Sequence, residues 1–211
     1  MSKIENLISK MTDNFTRNYL EIDNVFLGFE DYSTNGYILM SFVKELYDEE
    51  KCLLAIKTLF QHGANPNYLD KKGNNFIQVA LETGYSENFM IEITAFALMN
   101  GLDVNHRNND ELAILDSALY SEKYKGGIVS LSKWLGLYEY NFDSVDFFGN
   151  DIVTSLDMFG KKEEAKDVEL IKNYFKKYYS LQDGKKFEIT DGVIVEVDYE
   201  LNRILKPNSE K

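Results

Sequence analysis

Apolar residues along most of the chain recur at spacings of three and four, which is the pattern of amphipathic helices. The stripe that follows Gly73 consists of Phe76, Ile77, Ala80 and Leu81. A second stripe, further along, consists of Phe89, Ile93, Phe96 and Ala97. Asn75 stands where an N-cap side chain would accept a backbone N–H, and Gly84 permits the left-handed geometry that ends a helix. The pattern predicts two short helices here.

The same pattern repeats with a period of about 38 residues. The apolar pair near the start of the first helix is Phe76-Ile77, Ile114-Leu115 and Ile152-Val153 in three successive copies. A fourth pair, Ile38-Leu39, keeps the spacing, although the turn before it is less regular. Asp151 stands at the N-cap position of the last copy. Neither helix of a pair can bury its stripe alone, so neighbouring pairs are expected to stack into one core.

A polar turn precedes the helix pair in three of these copies. Residues 63–73 read Gly-Ala-Asn-Pro-Asn-Tyr-Leu-Asp-Lys-Lys-Gly, and Gly101–Asn108 begins a similar turn one period later. One further period along, Asp146–Gly149 repeats the Asp-x-x-Gly that ends the first turn. Three turns in one register predict a repeat protein of about four units over residues 31–180.

These turns and helices resemble the ankyrin repeat family. Residues Gly63–Asp70, Gly73 and Ala80–Gly84 are similar to its Gly-Ala-Asp-x-Asn, Asp-x-x-Gly and Ala-Ala-x-x-Gly signatures. The resemblance covers residues 31–180 and implies a mainly α fold, an ankyrin-like solenoid of stacked helix pairs. The family's Thr-Pro-Leu-His helix start is replaced here by Asn-Phe-Ile-Gln at residues 75–78.

The repeat is also longer than that of the family, about 38 residues instead of about 33. The extra residues are expected at 85–90 and 120–127, between the helices of a pair. We therefore expect the stack to be irregular.

Each end of the repeats is expected to carry a cap. In residues 1–30, one apolar helical face is formed by Ile4, Leu7, Ile8, Met11 and Phe15. That face would suit an N-terminal helical cap over the open end of the stack. Residues 181–211 change to an alternating pattern, which predicts a C-terminal β-hairpin followed by a tail.

The hairpin could form in either of two registers around Asp191-Gly192. A two-residue loop would pair Phe187 with Glu196, whereas a three-residue loop pairs Ile189 with Val193. The second register collects apolar residues on one side, so we prefer it. The hairpin is expected to cap the stack, because two strands alone are barely stable; the alternative is that it presents a strand edge to a partner.

The charge of the chain narrows the class of partner. With 35 acidic and 23 basic residues, the formal net charge is −12, which repels nucleic-acid phosphates and anionic membranes. A basic partner protein would be attracted instead. Met1–Met11 lacks the basic start and apolar stretch of a signal peptide, and no apolar run is long enough to span a bilayer. We therefore expect a cytoplasmic protein.

Groups suited to catalysis or metal binding are sparse. His62 and His106 occupy different repeat positions, and Cys52 lies on an apolar stripe, where a free cysteine behaves as a small hydrophobe. The residues that most resemble metal ligands are Asp103, Asp143 and Asp146. Their spacing is better explained by the ankyrin-like turn. We therefore expect a protein that is not an enzyme and needs no metal or cofactor, with an enzyme of unrecognised site as an alternative.

In ankyrin-like stacks the turn tips and the first helix of each pair line a concave face, and the resemblance places this chain's partner contacts there. The residues expected to contact a partner are Lys71, Lys72, Asn74, Gln78, Glu82, Asn109, Asp110, Leu112, Asp116, Tyr120, Phe147, Phe148 and Asn150. Among them, Phe147 and Phe148 are adjacent aromatics at a predicted turn tip, where exposure to water is costly. Either they anchor a partner, or one of them folds back into the core.

These features favour a non-enzymatic protein–protein interaction module that binds a partner protein through the concave face and turn tips. The alternative is an acidic immunity (antitoxin) or inhibitor protein that neutralises a toxin or nuclease by direct binding. The small size, the negative charge and the lack of catalytic groups suit this alternative.

Overall fold

The computed structural model of this protein describes residues 32–61, 63–181, 189–190 and 193–194. This part of the chain contains eight α-helices and two strands of two residues each. The protein is therefore mainly α, as the apolar spacing predicts. The helical cap predicted for residues 1–30 lies outside the described residues.

The helices alternate along the chain as first and second members of four pairs. In order they are α1 (Tyr32–Glu45), α2 (Glu49–Gln61), α3 (Phe76–Leu81), α4 (Glu87–Met99), α5 (Ile114–Tyr120), α6 (Ile128–Gly136), α7 (Ile152–Met158) and α8 (Lys162–Leu181). Helix α3 has 6 residues, and α5 and α7 have 7 each. Helices this short are unstable alone, so they depend on packing against their neighbours.

The helices pack in two rows. In the first row α1 contacts α3, α3 contacts α5, and α5 contacts α7; in the second, α2 contacts α4, α4 contacts α6, and α6 contacts α8. Each first-row helix also contacts the second helix of its own pair. One apolar cluster runs through all eight helices, and Phe42, Phe76, Ile93 and Leu131 are among its almost fully buried members.

The turn before each of α3, α5 and α7 contains the same hydrogen bonds. One side-chain oxygen of Asp70 accepts from the N–H groups two and four residues later, at 2.8 and 3.0 Å. Asn108 makes the same two bonds, both at 3.0 Å, and Asp146 makes them at 2.9 and 3.0 Å. The three turns therefore share one conformation at the predicted repeat spacing.

A residue in the left-handed region completes each of these turns. The φ angle is 72° at Gly73, 59° at Glu111 and 81° at Gly149. The conformation persists where glutamate replaces glycine, although a Cβ costs about 1–2 kcal/mol there. The side-chain hydrogen bonds of the turn are therefore kept without glycine at this position.

The two predicted N-caps are confirmed. Asn75 accepts from the Gln78 N–H at 3.0 Å, and the Gln78 side chain accepts from the Asn75 N–H at 3.1 Å. This reciprocal pair is a capping box, which satisfies two backbone donors at the start of α3. Asp151 caps α7 by accepting from the Thr154 N–H at 2.9 Å.

The extra residues of the repeat lie only partly where expected. Residues 121–127 form a non-helical connection between α5 and α6, as predicted. Residues 87–90 are helical and belong to α4, so the prediction that they lie between the paired helices is wrong. Ser86 starts that helix as its N-cap by accepting from the Phe89 N–H at 3.3 Å. In this unit the extra residues lengthen a helix.

Asparagine side chains join each turn to the next one. Asn67 accepts from the N–H of Asp103 at 2.7 Å and donates to the carbonyl of Gly101 at 2.8 Å. Asn105, one period later, makes the equivalent two bonds to the third turn, at 2.7 and 3.2 Å. The repeat in sequence is therefore also a repeat of links between neighbouring units.

Helix α8 covers the end of this series. Asp143 lies one period after Asn105, and its carboxylate pairs with Lys172 at 2.8 Å and Lys176 at 3.8 Å. The Tyr179 hydroxyl also donates to the Gly136 carbonyl at 2.8 Å. With 20 residues, α8 continues past the position where the period would start another turn. Helix α8, the second helix of the last pair, therefore packs against the third turn where a fourth turn would otherwise lie.

The two strands, Ile189–Thr190 and Val193–Ile194, pair antiparallel, with Thr190 opposite Val193. This pairing leaves only Asp191-Gly192 between the strands, so the preferred three-residue register is wrong. Asp-Gly is a favoured sequence for two-residue hairpin loops, and this local preference outweighs the collection of apolar residues on one side. The rest of the predicted hairpin lies outside the described residues.

Candidate partner-binding surface

Three series of surface positions change in chemistry from unit to unit. At the end of the first-row helices, the residues spaced by one period are Lys44, Glu82, Tyr120 and Met158. At the turn tips, the two series are Lys71, Asn109 and Phe147, then Lys72, Asp110 and Phe148. Each series runs from charged side chains in the early units to apolar ones in the last. We call these ten side chains the graded face.

Ion pairs connect the helix ends of the graded face to the turns. Lys44, at the end of α1, pairs with Asp70 at 3.7 Å. Glu82, which follows α3, pairs with Lys72 at 3.5 Å. The helix ends and the turns are therefore parts of one surface.

Phe147 and Phe148 are 73% and 72% exposed. Their rings pack edge to face, with centroids 5.4 Å apart and an interplanar angle of 80°. Asp146 fixes the tip by accepting from the Phe148 N–H at 2.9 Å. Neither ring folds back into the core, which excludes that alternative.

The apolar end of this surface extends further than the sequence suggested. Met158 is 70% exposed, and Phe159, next to it, is 55% exposed. The Phe159 ring meets that of Tyr120 edge to face, with centroids 5.4 Å apart. The repeat register could have found Met158, which is the equivalent of Tyr120, but Phe159 has no such signal.

A groove of about 140 Å³ opens within the graded face. It is lined by Lys72, Asn74, Gln78, Glu82, Asn108, Asp110, Leu112, Ser117, Tyr120 and Ser121. Seven of these ten residues were predicted to contact a partner. The repeat register therefore brings together, at one place, predicted residues from two neighbouring units.

Three predicted contact residues are buried, which corrects the prediction for them. Asn74, Gln78 and Asp116 are 2%, 1% and 2% exposed. The Gln78 amide donates to the Leu112 carbonyl at 2.8 Å and to the Ser117 hydroxyl at 3.0 Å. Asn74 also bonds to the next unit, through Asn108, whereas Asp116 accepts from the Ala113 N–H of its own unit. All three side chains leave little surface for a partner.

The other predicted contact residues lie at the surface. The exposed ones are Lys71, Lys72, Glu82, Asn109, Asp110, Phe147 and Phe148, and the half-buried ones are Leu112, Tyr120 and Asn150. Asn109 joins two tips, because its side chain donates to the Lys71 carbonyl at 3.2 Å and its N–H to the Lys72 carbonyl at 2.9 Å. The first two tips are therefore held in a fixed relation.

Two buried carboxylates behind the graded face have opposite pKa shifts. Burial raises the pKa of Asp116 to about 6, and the charge of Asp146 raises it further. Burial also acts to raise the pKa of Asp146, but hydrogen bonds from Tyr120, Asn150 and Ser155 outweigh it, so that pKa lies below its usual value. Burial and the bond to Asp146 together raise the pKa of Tyr120. Asp146 is therefore a fixed negative charge at neutral pH.

The histidine, cysteine and aspartate side chains considered for catalysis or metal binding have structural roles wherever the structure describes them. His106 Nε2 donates to the Gly73 carbonyl at 2.6 Å, while His62 lies outside the described residues. Cys52 is fully buried, and burial raises the pKa of its thiol to about 12, which disfavours the reactive thiolate. The three aspartates considered as metal ligands accept from backbone N–H groups or pair with lysines of α8. The described ranges contain no cluster of three or more side chains suited to a metal ion.

A larger cavity of about 340 Å³ lies between the third turn and α8. Phe175 and Tyr179 contribute apolar walls to it, and Lys172 contributes a charge. Lys172 lies 2.8 Å from both Asp143 and Asp151, so its charge is already neutralised. The cavity shares no residue with the groove and contains none of the predicted contact residues.

No protein-family model matches the sequence, and comparison with curated proteins finds no relative. Over the described part of the chain, no helix combines the length and the apolar character needed to cross a membrane. The function therefore has to be inferred from the geometry of the graded face.

Proposed function

We propose that this protein is a non-enzymatic interaction module, a divergent ankyrin-like stack that binds a partner protein through its concave face and turn tips. The two rows of helices and the shared turn hydrogen bonds support the ankyrin-like architecture. The exposed pair Phe147 and Phe148 is the observation that carries the binding function. A cytoplasmic location is part of the same proposal.

Two phenylalanine rings at one turn tip leave a large apolar area in water. Burial of one such side chain against a partner contributes about 1.5–3 kcal/mol. Aromatic side chains of this kind often supply a large share of the binding energy of an interface. Because Asp146 holds the backbone of the tip, little conformational freedom is lost when a partner covers the rings.

Affinity capture from the native source, with variants of the graded face, tests this proposal. Phe148→Ala and Lys71→Ala shorten exposed side chains, so both should fold normally and lose the captured partner. Leu170→Ala is the matched control, because Leu170 is 65% exposed on α8 and lies outside the graded face. We expect Leu170→Ala to retain the partner.

Two results would count against the binding face. One is a partner retained by Phe148→Ala and Lys71→Ala as strongly as by the wild type, with circular dichroism showing that all are folded. The other is a partner lost equally by Leu170→Ala, which would indicate a different surface.

The net charge of −12 favours a narrower second candidate, an acidic immunity or inhibitor protein that neutralises a basic toxin or nuclease. Charge attraction would speed the encounter with such a partner. The expected result is co-purification with a basic toxin or nuclease domain that the wild type inhibits and Phe148→Ala does not. An acidic partner, or one whose activity is unchanged by binding, excludes this candidate.

A further inference from the structure

The groove and the exposed phenylalanine pair are adjoining parts of one surface. The Tyr120 hydroxyl, on the groove wall, donates to one oxygen of Asp146, and the Phe148 N–H donates to the other. One carboxylate therefore positions both features. We propose that the partner presents an arginine close to a large apolar side chain, with the guanidinium in the groove and the apolar side chain against Phe147 and Phe148. This inference rests on the proposed protein-binding function and adds the chemistry of the bound segment.

The size of the groove suits a single side chain. Its volume of about 140 Å³ is well below the roughly 300–1,000 Å³ of pockets that hold small-molecule ligands. A side chain that projects from a partner needs to bury only its end group there, because the rest of the contact comes from the surrounding surface.

The rim of the groove carries an excess of negative charge. Glu82 and Asp110 line it and are exposed, against a single cation, Lys72. Lys72 pairs with Glu82 at 3.5 Å, with side chains 65% and 55% exposed. Such an exposed pair is weak, so a guanidinium from a partner can replace the lysine.

Arginine fits this rim better than lysine does. A guanidinium is planar, donates to two carboxylates at once and stacks on aromatic rings, whereas an ammonium is a point charge. Tyr120 supplies a half-buried ring whose position is fixed by its bond to Asp146 at 2.6 Å and by the Phe159 ring. The groove therefore offers both the charge and the flat surface that a guanidinium requires.

The floor of the groove is already hydrogen bonded. Asn108 donates to Asn74 at 2.8 Å, and Gln78 donates to the Ser117 hydroxyl at 3.0 Å. These buried groups satisfy one another, so a bound side chain does not need to rearrange them. Recognition is thereby left to the charged rim and the tyrosine ring.

A random peptide library displayed on phage, selected on the full-length chain, tests the inference. We expect the enriched peptides to carry an arginine within a few residues of a large apolar side chain. On the variant Glu82→Gln/Asp110→Asn, the arginine preference should disappear and the apolar preference should remain. The matched control is Glu163→Gln/Asp167→Asn, which removes the same charge from exposed positions on α8 and should keep both preferences.

The affinity of one enriched peptide is then compared with that of a copy that has citrulline in place of arginine. This comparison distinguishes the effect of the charge from that of the side-chain shape. Citrulline carries an uncharged urea, so it should weaken binding to the wild type about tenfold or more. On Glu82→Gln/Asp110→Asn, the two peptides should differ by less than about twofold. Lys72→Ala should tighten binding of the arginine peptide, because it frees the Glu82 carboxylate.

Peptides without an arginine excess, or with an excess that persists on Glu82→Gln/Asp110→Asn, would overturn the inference. Loss of the arginine preference on the Glu163→Gln/Asp167→Asn control would also overturn it, because attraction to net charge would then explain binding. The protein-binding function is judged separately by Phe148→Ala. If the peptides lack arginine but are lost on Phe148→Ala, only the arginine site fails; peptides that bind Phe148→Ala normally count against both.

Discussion

The hydroxyl of Tyr120 lies 2.6 Å from Oδ2 of Asp146 and donates to it, across 26 residues of sequence. Asp146 is 4% exposed and also accepts from the N–H groups of Phe148 and Asn150 at Oδ1 and from the Ser155 hydroxyl at Oδ2. A single buried carboxylate therefore fixes a wall of the groove, the tip with the exposed rings and the start of α7. The folding of the third turn and the shape of the candidate binding face depend on the same group.

Removal of this hydroxyl by Tyr120→Phe should lower the free energy of unfolding by about 1–2 kcal/mol at pH 7, because a charge-assisted hydrogen bond is lost. The folded-state pKa of Asp146 is depressed. Its contribution to stability is therefore present above its unfolded pKa of about 3.9 and is lost as the pH falls through the folded value. The loss of unfolding free energy caused by Tyr120→Phe should therefore become smaller as the pH falls. Urea unfolding of the wild type and the variant at pH 7 and pH 3 measures this loss.

Tyr138→Phe is the matched control for this substitution. Tyr138 is also half-buried, burial raises its pKa, and among the described residues its hydroxyl has no carboxylate partner. We expect a change of less than about 0.5 kcal/mol. Equal losses in the two variants at pH 7 would contradict the role given to Asp146.

The repeat could be predicted from the sequence because its turn chemistry is local. Asp70, Asn108 and Asp146 bond to N–H groups only two and four residues away, and Asn75 and Asp151 cap helices that begin at the next residue. Such contacts require particular residue types at fixed short spacings. They therefore leave a pattern that can be recognised without the structure.

Contacts between units leave no such pattern. Gln78 is buried because its partners, Leu112 and Ser117, lie 34 and 39 residues away and come close only when the units pack. The register placed Gln78, Asn74 and Asp116 on the contact face but could not show how closely the next unit approaches. The position of Phe147 and Phe148 was equally undetermined, because an aromatic pair at a turn tip suits either a core or an exposed surface.

The contribution of Asp116 to the free energy of unfolding should fall as the pH rises from about 4 to 6. Burial raises its folded-state pKa to about 6, against about 3.9 in the unfolded chain. Between these values the folded state binds more protons than the unfolded state, so stability falls with rising pH. At pH 7 the buried carboxylate is ionised and costs roughly 2–3 kcal/mol.

Asp116→Asn should remove this pH dependence. The amide oxygen can still accept from the Ala113 N–H, which Asp116 binds at 3.1 Å, but the amide cannot ionise. The free energy of unfolding of the variant minus that of the wild type should be about 2 kcal/mol more positive at pH 7 than at pH 4.5. Urea unfolding at the two pH values measures this, with Asp110→Asn as the exposed control. A difference between Asp116→Asn and wild type that is the same at both pH values would contradict the shifted pKa.

Glutamate at a left-handed position should cost stability that glycine restores. Glu139 has φ 64°, where Gly63 and Gly101, at the same position of the repeat, have 79° and 83°. Glu139→Gly should raise the free energy of unfolding by about 0.5–1 kcal/mol, which is the left-handed penalty reduced by the greater unfolded-state entropy of glycine.

The reverse change, Gly101→Ala, should lower the free energy of unfolding by about 1 kcal/mol. Apart from its chain neighbours, no described residue has an atom within 4 Å of a Cβ at Gly101, so the backbone angle is responsible. Thermal and urea unfolding measure both variants. A neutral Gly101→Ala would show that this turn relaxes to accept a side chain.

Asn105 should hold the second and third turns together through two separable bonds. Its Oδ1 accepts from the Asn141 N–H at 2.7 Å, and its Nδ2 donates to the Glu139 carbonyl at 3.2 Å. Asn105→Ala removes both, whereas Asn105→Asp keeps the acceptor and places a carboxylate oxygen against the carbonyl. Each variant should lower the free energy of unfolding by about 1–2 kcal/mol.

Amide hydrogen exchange distinguishes the two bonds. The Asn141 amide should exchange faster in Asn105→Ala and stay protected in Asn105→Asp, because only the first variant loses the acceptor. Asn67→Ala is the control from the preceding turn, where the Asp103 amide has the equivalent acceptor at 2.7 Å and should be the one that exchanges faster. If Asn105→Ala accelerated exchange at Asp103 and Asn141 equally, the turns would open as one unit, and the individual asparagine bonds would not be what joins them.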